Sequence, residues 1–466
     1  MRQKKTLQKW LINNKKSIMK INNIFKYLSV VFLALQLNSC DNSTDAEQKF
    51  DQTPTERLNA QKSELNQLLL SAEYGWKSIY FTDNTVLGGY THLFKFANDG
   101  TVQMASDFDD DTDIYKSEYQ IQLGSTVSLV FTTKNRIHLL SESDVFPIPA
   151  LRAKGYLGDF QFLYYGQENG EIIFKANRNG QEIRFVKAKA EDWTDLPKNL
   201  VMEQNVIGGS TRPLFRLLET NDGTTKHQFD FTFSEITRFA ESNSIETGYA
   251  VSYNMGVGYT PTGIVVNPAV VVGDQKLSNF IYNDADGSFT ATGTGGVNAT
   301  IKYSTKPLIL TEDYKTLLDG KPQIVLSYIA ANLYTAPTNS QYCKNLLDQA
   351  NAILPANQKI ARVQIYFNSA FGNYIEYRFN GGRPSVYHNF TTTEDAANKT
   401  IILNHDSWDN GTAIIPAPAF LKGLDDQFMN ASGLYIKKEA FKITYSNTIW
   451  TITSASSNFR ITSYQL

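Results

Sequence analysis

Cysteine is almost missing from this sequence of 466 residues: Cys40 and Cys343 are the only two, too few for a disulfide framework. Histidine is scarce as well, with five residues, and none stands in a His-Glu-x-x-His array, which excludes the helical zinc-protease site. No Gly-x-Ser-x-Gly elbow occurs. The glycine-rich run 293–296 lacks the Lys-Ser/Thr of a phosphate loop and follows a strand without opening a helix, so it reads as a turn. Past the N-terminus no apolar run is long enough to span a bilayer, which excludes a multi-spanning helical membrane protein. Basic charge is also short. Residues 1–39 hold eight basic and no acidic side chains, leaving 36 basic against 46 acidic in the remainder, a balance of -10. Such a body has no general attraction to phosphate backbones, so nucleic acid is not expected as a partner.

What is present begins with an export signal. Lys20 and Lys26 precede an apolar stretch over 27–37, followed by Leu37-Asn38-Ser39-Cys40. This is the basic region, hydrophobic region and small residue before the cut of a signal peptide over 1–39. A complete signal starts at Met19, so residues 1–18 read as redundant. The cysteine directly after Ser39 resembles a bacterial lipobox, whose thiol receives a diacylglycerol, and this assigns Cys40 as the lipidation site. The alternative is a soluble periplasmic protein with a coincidental cysteine. Residues 40–50 are polar and acidic without periodicity, a lipidated tether. They also resemble the acidic signals that send Bacteroidota lipoproteins to the cell surface, with the periplasmic leaflet left open. With Cys40 acylated, Cys343 has no intramolecular partner, and its helical surroundings read as core filling.

The body reads as mainly β with a few helices (α+β), in antiparallel meander sheets or barrel-like domains. Thr53-Pro54-Thr55-Glu56 is a capping box opening an N-terminal helix over 53–74, with Gly75 ending it. Strands then recur at 76–81, 91–96, 101–105, 119–123, 127–132, 160–165, 171–175 and 182–186, with turns such as Asn98-Asp99-Gly100 between them. Residues 51–190 therefore form an N-terminal β-rich domain with a leading helix. Pro197, Gly208, Gly209 and Pro213 mark 191–216 as a linker. Residues 217–466 form the C-terminal β-rich part, with helices near 312–318, 340–354 and 417–429 and a closing hairpin of 441–445 with 448–453.

The segments Phe50-Asp51-Gln52-Thr53-Pro54-Thr55-Glu56-Arg57-Leu58, Ser71-Ala72-Glu73-Tyr74-Gly75-Trp76-Lys77 and Phe94-Lys95-Phe96 with Asp99-Gly100 resemble an uncharacterised Bacteroidota lipoprotein family, domain of unknown function 4302. The likeness is clearest over residues 40–190. It implies a cell-envelope lipoprotein found near nutrient-uptake systems, whose partners are an outer-membrane transporter and its binding lipoprotein. It brings no catalytic residues with it.

Asp107, Asp109 and Asp111, with Glu118 eleven residues after the first, match the oxygen-ligand spacing of a calcium loop. Thr112 stands where the turn wants glycine and the flanks read as strands, so the competing reading is a solvated acidic loop. Calcium is the one cofactor to consider. His405-Asp406-Ser407 places three triad residue types side by side, but a triad needs them to converge in space. Aromatics are plentiful, with 28 Phe, 25 Tyr and 5 Trp. They suit sugar stacking or peptide binding, and equally the buried face of a sheet. The expected role is a surface or periplasm-facing outer-membrane lipoprotein, a non-catalytic binding or accessory component of glycan or peptide uptake. The alternatives are an extracellular hydrolase of glycan or peptide and a structural envelope protein.

Overall fold

The computed structural model describes residues 53–209 and 211–466. The signal peptide, Met19, Cys40 and the tether lie outside the described residues.

Helix α1 (Pro54–Leu70) begins as its capping box requires, with Thr53 Oγ1 accepting the Glu56 N–H at 3.3 Å and the Glu56 carboxylate accepting the Thr53 N–H at 2.8 Å. Its buried residues are Leu65 and Leu69. It is tied to the strands that follow: Trp76 Nε1 donates to the Leu69 carbonyl at 3.0 Å and the Tyr164 hydroxyl donates to Glu64 at 2.9 Å.

Eight antiparallel strands come next: β1 (Trp76–Phe81), β2 (Gly89–Phe96), β3 (Thr101–Ser106), β4 (Tyr115–Leu123), β5 (Val127–Phe131), β6 (Gln161–Glu168), β7 (Glu171–Ala176) and β8 (Glu182–Lys187). Each pairs with the next, and β1 pairs with β8, so the meander closes into a barrel with no free edge. The alternation read from sequence sets the inner face. Phe94, Phe131, Phe162, Phe174 and Phe185 meet there at ring separations of 4.7 to 6.2 Å. A one-turn helix, α2 (Arg136–Leu139), lies in the β5–β6 connection.

Residues 191–216, read as a linker, carry two helices, α3 (Ala190–Asp195) and α4 (Lys198–Ile207). Pro197 stands directly before α4, where its missing N–H costs nothing, so it separates helices rather than opening a loop. Met202 and Val206 of α4 join the core of the sheet that follows.

That sheet has nine antiparallel strands: β9 (Phe215–Asp222), β10 (Lys226–Asp230), β11 (Thr232–Ser234), β12 (Phe239–Asn243), β13 (Ser252–Thr260), β14 (Gly263–Val272), β15 (Gln275–Asn283), β16 (Ser288–Thr292) and β17 (Val297–Ser304). They are ordered β10-β9-β17-β16-β15-β14-β13-β12-β11. β13 lies against β1 and β2 of the barrel, and glycine allows the approach: a Cβ on Gly258 would stand 2.6 Å from Ile79 Cγ2. Two backbone hydrogen bonds tie the same seam to the β11–β12 turn, Gly88 N–H to the Thr237 carbonyl and Val257 N–H to the Arg238 carbonyl, both 2.8 Å.

A second closed barrel comprises β18 (Ile324–Ile329), β19 (Ile360–Ser369), β20 (Gly372–Phe379), β21 (Val386–Asp395), β22 (Thr400–Asp409), β23 (Leu434–Glu439), β24 (Ile449–Ser454) and β25 (Arg460–Gln465). Three helices sit in its connections: α5 (Ala330–Leu333), α6 (Gln341–Ile353) and α7 (Lys422–Phe428). Cys343 lies on the buried face of α6 with Leu346, Leu347 and Ala350, and burial pushes its thiol pKa up. The closing hairpin is displaced from its expected place: residues 441–445 fall in the connection between β23 and β24, and β24 pairs with β23 and β25.

The fold is thus mainly β, antiparallel and barrel-like, as expected. Trp76, Trp450, Tyr80, Tyr90, Tyr259, Tyr314, Tyr377 and Tyr464 are all fully buried, so these large rings are core. Among the described residues no helix is long and apolar enough to cross a membrane.

Candidate functional site

A cleft of about 820 Å³ opens on the second barrel where β21 and β22 meet α7, a size that suits a small ligand or a few residues of peptide. A β-bulge creates its polar wall. Asn389 pairs with Ser407 and Phe390 with His405, which leaves Asp406 as the extra residue on β22. His405 continues the parity of buried Ile401 and Leu403, yet it stands exposed at the cleft. The 410–421 segment supplies the opposite, apolar wall through Ile414, Ile415, Pro416 and Pro418, and is pinned by the Ile415 N–H to the Trp408 carbonyl at 2.8 Å.

Behind His405 runs a buried hydrogen-bonded chain. Asp425, on α7, accepts the Tyr377 hydroxyl at 2.7 Å and lies 2.9 Å from His388 Nδ1. His388 Nε2 is 2.6 Å from His405 Nδ1. Donor and acceptor roles follow from the carboxylate end. With the Asp425 carboxylate as acceptor, the Nδ1–H of His388 donates to it, and in that tautomer His388 Nε2 accepts from the Nδ1–H of His405. That leaves the His405 Nε2 lone pair as an acceptor at the cleft. Trp408 stacks on His388 at 4.3 Å and on Tyr377 at 5.9 Å, which fixes the imidazole plane. The proximity of Tyr377 to Asp425 adds to its burial in pushing the phenol well above its ordinary pKa, so it serves as a donor only. Ser407 donates to Asp406 at 3.2 Å rather than to His405, so the triplet forms no Ser-His pair.

The structure disperses the four residues of the calcium spacing. Asp107 is fully buried at the seam of the first barrel and the nine-stranded sheet. It accepts from Thr91 N–H at 2.8 Å, Asn199 Nδ2 at 2.8 Å and Arg238 Nη1 at 3.1 Å. Arg238 lies between the rings of Tyr90 and Tyr259, 4.6 and 4.5 Å from their centres. Burial opposes its charge, but Asp107 and the two tyrosines outweigh it, and the guanidinium pKa lies above the ordinary arginine value. Asp109 and Asp111 turn instead to Arg136, and Glu118 is exposed on β4, where its N–H donates to Thr133. Among the described residues no group of three or more His, Cys, Asp and Glu side chains is placed to hold a metal ion.

The family model of the domain of unknown function DUF4302 matches residues 46–284, just over half of the chain, and the protein belongs to that family. The match covers the first barrel and the nine-stranded sheet as far as β15; the second barrel and its cleft lie beyond it. No curated protein matches the sequence. Two solved structures show weak likeness: a DNA polymerase sliding clamp from Bacillus subtilis, 9% identical over 86% of this chain and 96% of the clamp, with a TM-score of 0.16; and a DUF3598 protein of unknown function from Nostoc punctiforme, 11% identical over 50% of this chain and 97% of that one, with a TM-score of 0.13. At these scores neither informs function.

Proposed function

We propose that the protein is a lipoprotein of the Bacteroidota type, held at the outer membrane through Cys40 and serving as a non-catalytic binding component of nutrient uptake. An outer-membrane transporter and its binding lipoprotein are the partners this reading supplies. The single observation that carries it is the cleft at His405: an apolar wall faces convergent polar groups, the general form of a ligand seat. Peptide is favoured over glycan. The one large ring at the cleft, Trp408, is 6% exposed and already stacked on both His388 and Tyr377, so no free aromatic face is offered to a sugar there. Exposed Ile414 with Asp406 instead suits an apolar side chain beside a cationic one, Asp426 being held by Lys422 at 2.6 Å. Tether and lipid would act by confinement, raising the local concentration of bound ligand near the transporter.

The test is a calorimetric titration with tripeptides of the form Lys-Leu-Leu, with maltooligosaccharides as the comparison. Peptide should bind, and Ile414→Ser should weaken it roughly tenfold, since one well-placed apolar contact contributes on the order of 1.5 kcal/mol. Saccharide binding without peptide binding overturns the assignment.

The Asp425–His388–His405 chain favours a second reading, a hydrolase with His405 as general base. Peptide or glycan turnover abolished by His405→Ala would establish it.

A further inference from the structure

A second cavity of the C-terminal barrel, about 190 Å³, shares no residue with the His405 cleft and lies on the outer face of the strands. Its floor follows from the strand register. Tyr435 pairs with Thr453 and Thr453 with Arg460, so the three stand in a row across β23, β24 and β25, on the face opposite the core residues Ile436, Ile452 and Ile461. The connection that follows β17 supplies the apolar side through Leu308, Ile309 and Leu310, with Phe215 of β9 beside them. That connection is fastened to the edge of β23 that β22 leaves unpaired beyond Leu434: Thr311 Oγ1 donates to the Ile436 carbonyl at 2.7 Å, and Asp313 accepts the Lys438 N–H at 2.8 Å.

The row carries an unbalanced cation. Among the described residues the Arg460 side chain makes one hydrogen bond, from Nε to the Thr338 carbonyl at 2.6 Å, and its guanidinium rests 5.5 Å from the centre of the Phe215 ring. No carboxylate of the described residues is paired with it. Glu439, which also borders the cavity, is held by Lys437 at 2.9 Å and accepts the Thr451 hydroxyl at 2.8 Å. The remaining cation of the lining, Lys399, is paired with Glu312 at 2.9 Å. Burial pulls the Arg460 pKa below the ordinary arginine value, with Glu439 opposing. Both Nη groups are left without a protein partner and are not sealed from the cavity.

Thr453 supplies a second, independent observation. It is 4% exposed, and among the described residues its hydroxyl has no hydrogen-bond partner, yet the oxygen is open to the cavity. Polar groups of buried side chains are nearly always satisfied, so a free hydroxyl beside a cavity asks for a ligand. A guanidinium fork with a hydroxyl next to it matches a carboxylate, which accepts two N–H bonds from the fork and one from the O–H. The volume sizes the rest of the ligand, since an apolar cavity of about 150 Å³ holds a benzene molecule.

We propose that this cavity binds a small free carboxylic acid as its anion, the carboxylate seated on Arg460 and Thr453 and a compact apolar body set against Leu308, Leu310 and Phe215.

The full chain is titrated by calorimetry at pH 7 with phenylacetate, with phenylacetamide, its uncharged analogue, with acetate, which lacks the apolar body, and with inorganic phosphate. Phenylacetate should bind; the amide and acetate should each bind at least about tenfold more weakly, and phosphate should give no heat. Arg460→Lys keeps the charge but loses the fork and should weaken phenylacetate about tenfold. Thr453→Val removes a hydroxyl that bonds nothing in the protein, so it tests the site without risk to the fold and should weaken binding several-fold. His405→Ala should leave phenylacetate binding unchanged, so this site and the peptide cleft fail independently. The proposal is overturned by folded protein that gives no heat with 10 mM phenylacetate, or that binds the amide or phosphate as tightly. Unchanged affinity in both Arg460→Lys and Thr453→Val, or loss of binding in His405→Ala, overturns it equally.

Discussion

Asp107→Asn is the substitution whose consequence the structure specifies most fully. It keeps the shape of the side chain and removes its charge at a position with no exposure, facing an arginine that is 3% exposed. The carboxylate accepts three hydrogen bonds, from Thr91, Asn199 and Arg238, while the Asp107 carbonyl takes a further one from Arg238 Nη2 at 2.5 Å. An asparagine can accept at one oxygen only and turns donors toward donors. Removing one partner of a buried ion pair typically costs about 3 to 5 kcal/mol, because the other charge is left stranded. Glu203, 3.9 Å from the guanidinium, compensates in part and places the expectation near about 3 kcal/mol. Arg238→Met removes the stranded charge, so the double variant should be no less stable than Asp107→Asn alone, a coupling of at least about 2 kcal/mol. Urea denaturation followed by far-UV circular dichroism at pH 7, on wild type, both single variants and the double variant, measures the cycle. A loss under about 1 kcal/mol for Asp107→Asn, or strict additivity, refutes the reasoning. The loss should also be the same with millimolar calcium or with a chelator, whereas a calcium-dependent difference would return Asp107 to the calcium loop.

Two further perturbations bear on the same half of the chain. His92 is fully buried, its Nδ1 is 3.2 Å from the Tyr90 carbonyl, and burial lowers its pKa to about 4. The unfolded chain takes up that proton first, near pH 6.5, so stability falls as pH drops from about 6.5 to about 4, by about 3 kcal/mol in all. Urea midpoints measured between pH 7 and pH 4 should show this slope in wild type and a shallower one in His92→Gln; equal slopes contradict it. Gly75, at φ +77°, turns the chain from α1 into β1, and a Cβ there would stand 2.1 Å from the Phe94 carbonyl oxygen. Gly75→Ala should therefore lower stability by at least about 2 kcal/mol in the same assay, and a neutral effect would mean the turn relaxes freely.

The parts of the fold legible in the sequence were those fixed by neighbours along the chain. The Thr53 capping box, the Gly75 stop and the alternating strands of the first barrel are local chemistry, and each lies within a few residues of its expected place. Strands such as β9 and β23 escaped reading because Glu219, Asn221, Lys437 and Lys438 break their alternation with side chains that face solvent or neighbouring charges. The sites escaped for a different reason. Asp107 has calcium-like spacing to its neighbours, but its partner is 131 residues away, brought in by the close packing of β13 on the barrel. His388, His405 and Asp425 come from two strands and a helix, and only a bulge at Asp406 places the second imidazole against the first. The only sequence trace of that pair was parity: His388 shares its face with Phe390, and His405 with Leu403.

In the proposed reading, location and role both depend on the sulfur of Cys40. Cells expressing full-length wild type and Cys40→Ser are labelled with radioactive palmitate and fractionated. The account predicts label on the wild-type protein in the outer-membrane fraction and none on the variant, which should be released in soluble form. An unlabelled wild type, or a variant that still sediments with membranes, contradicts it.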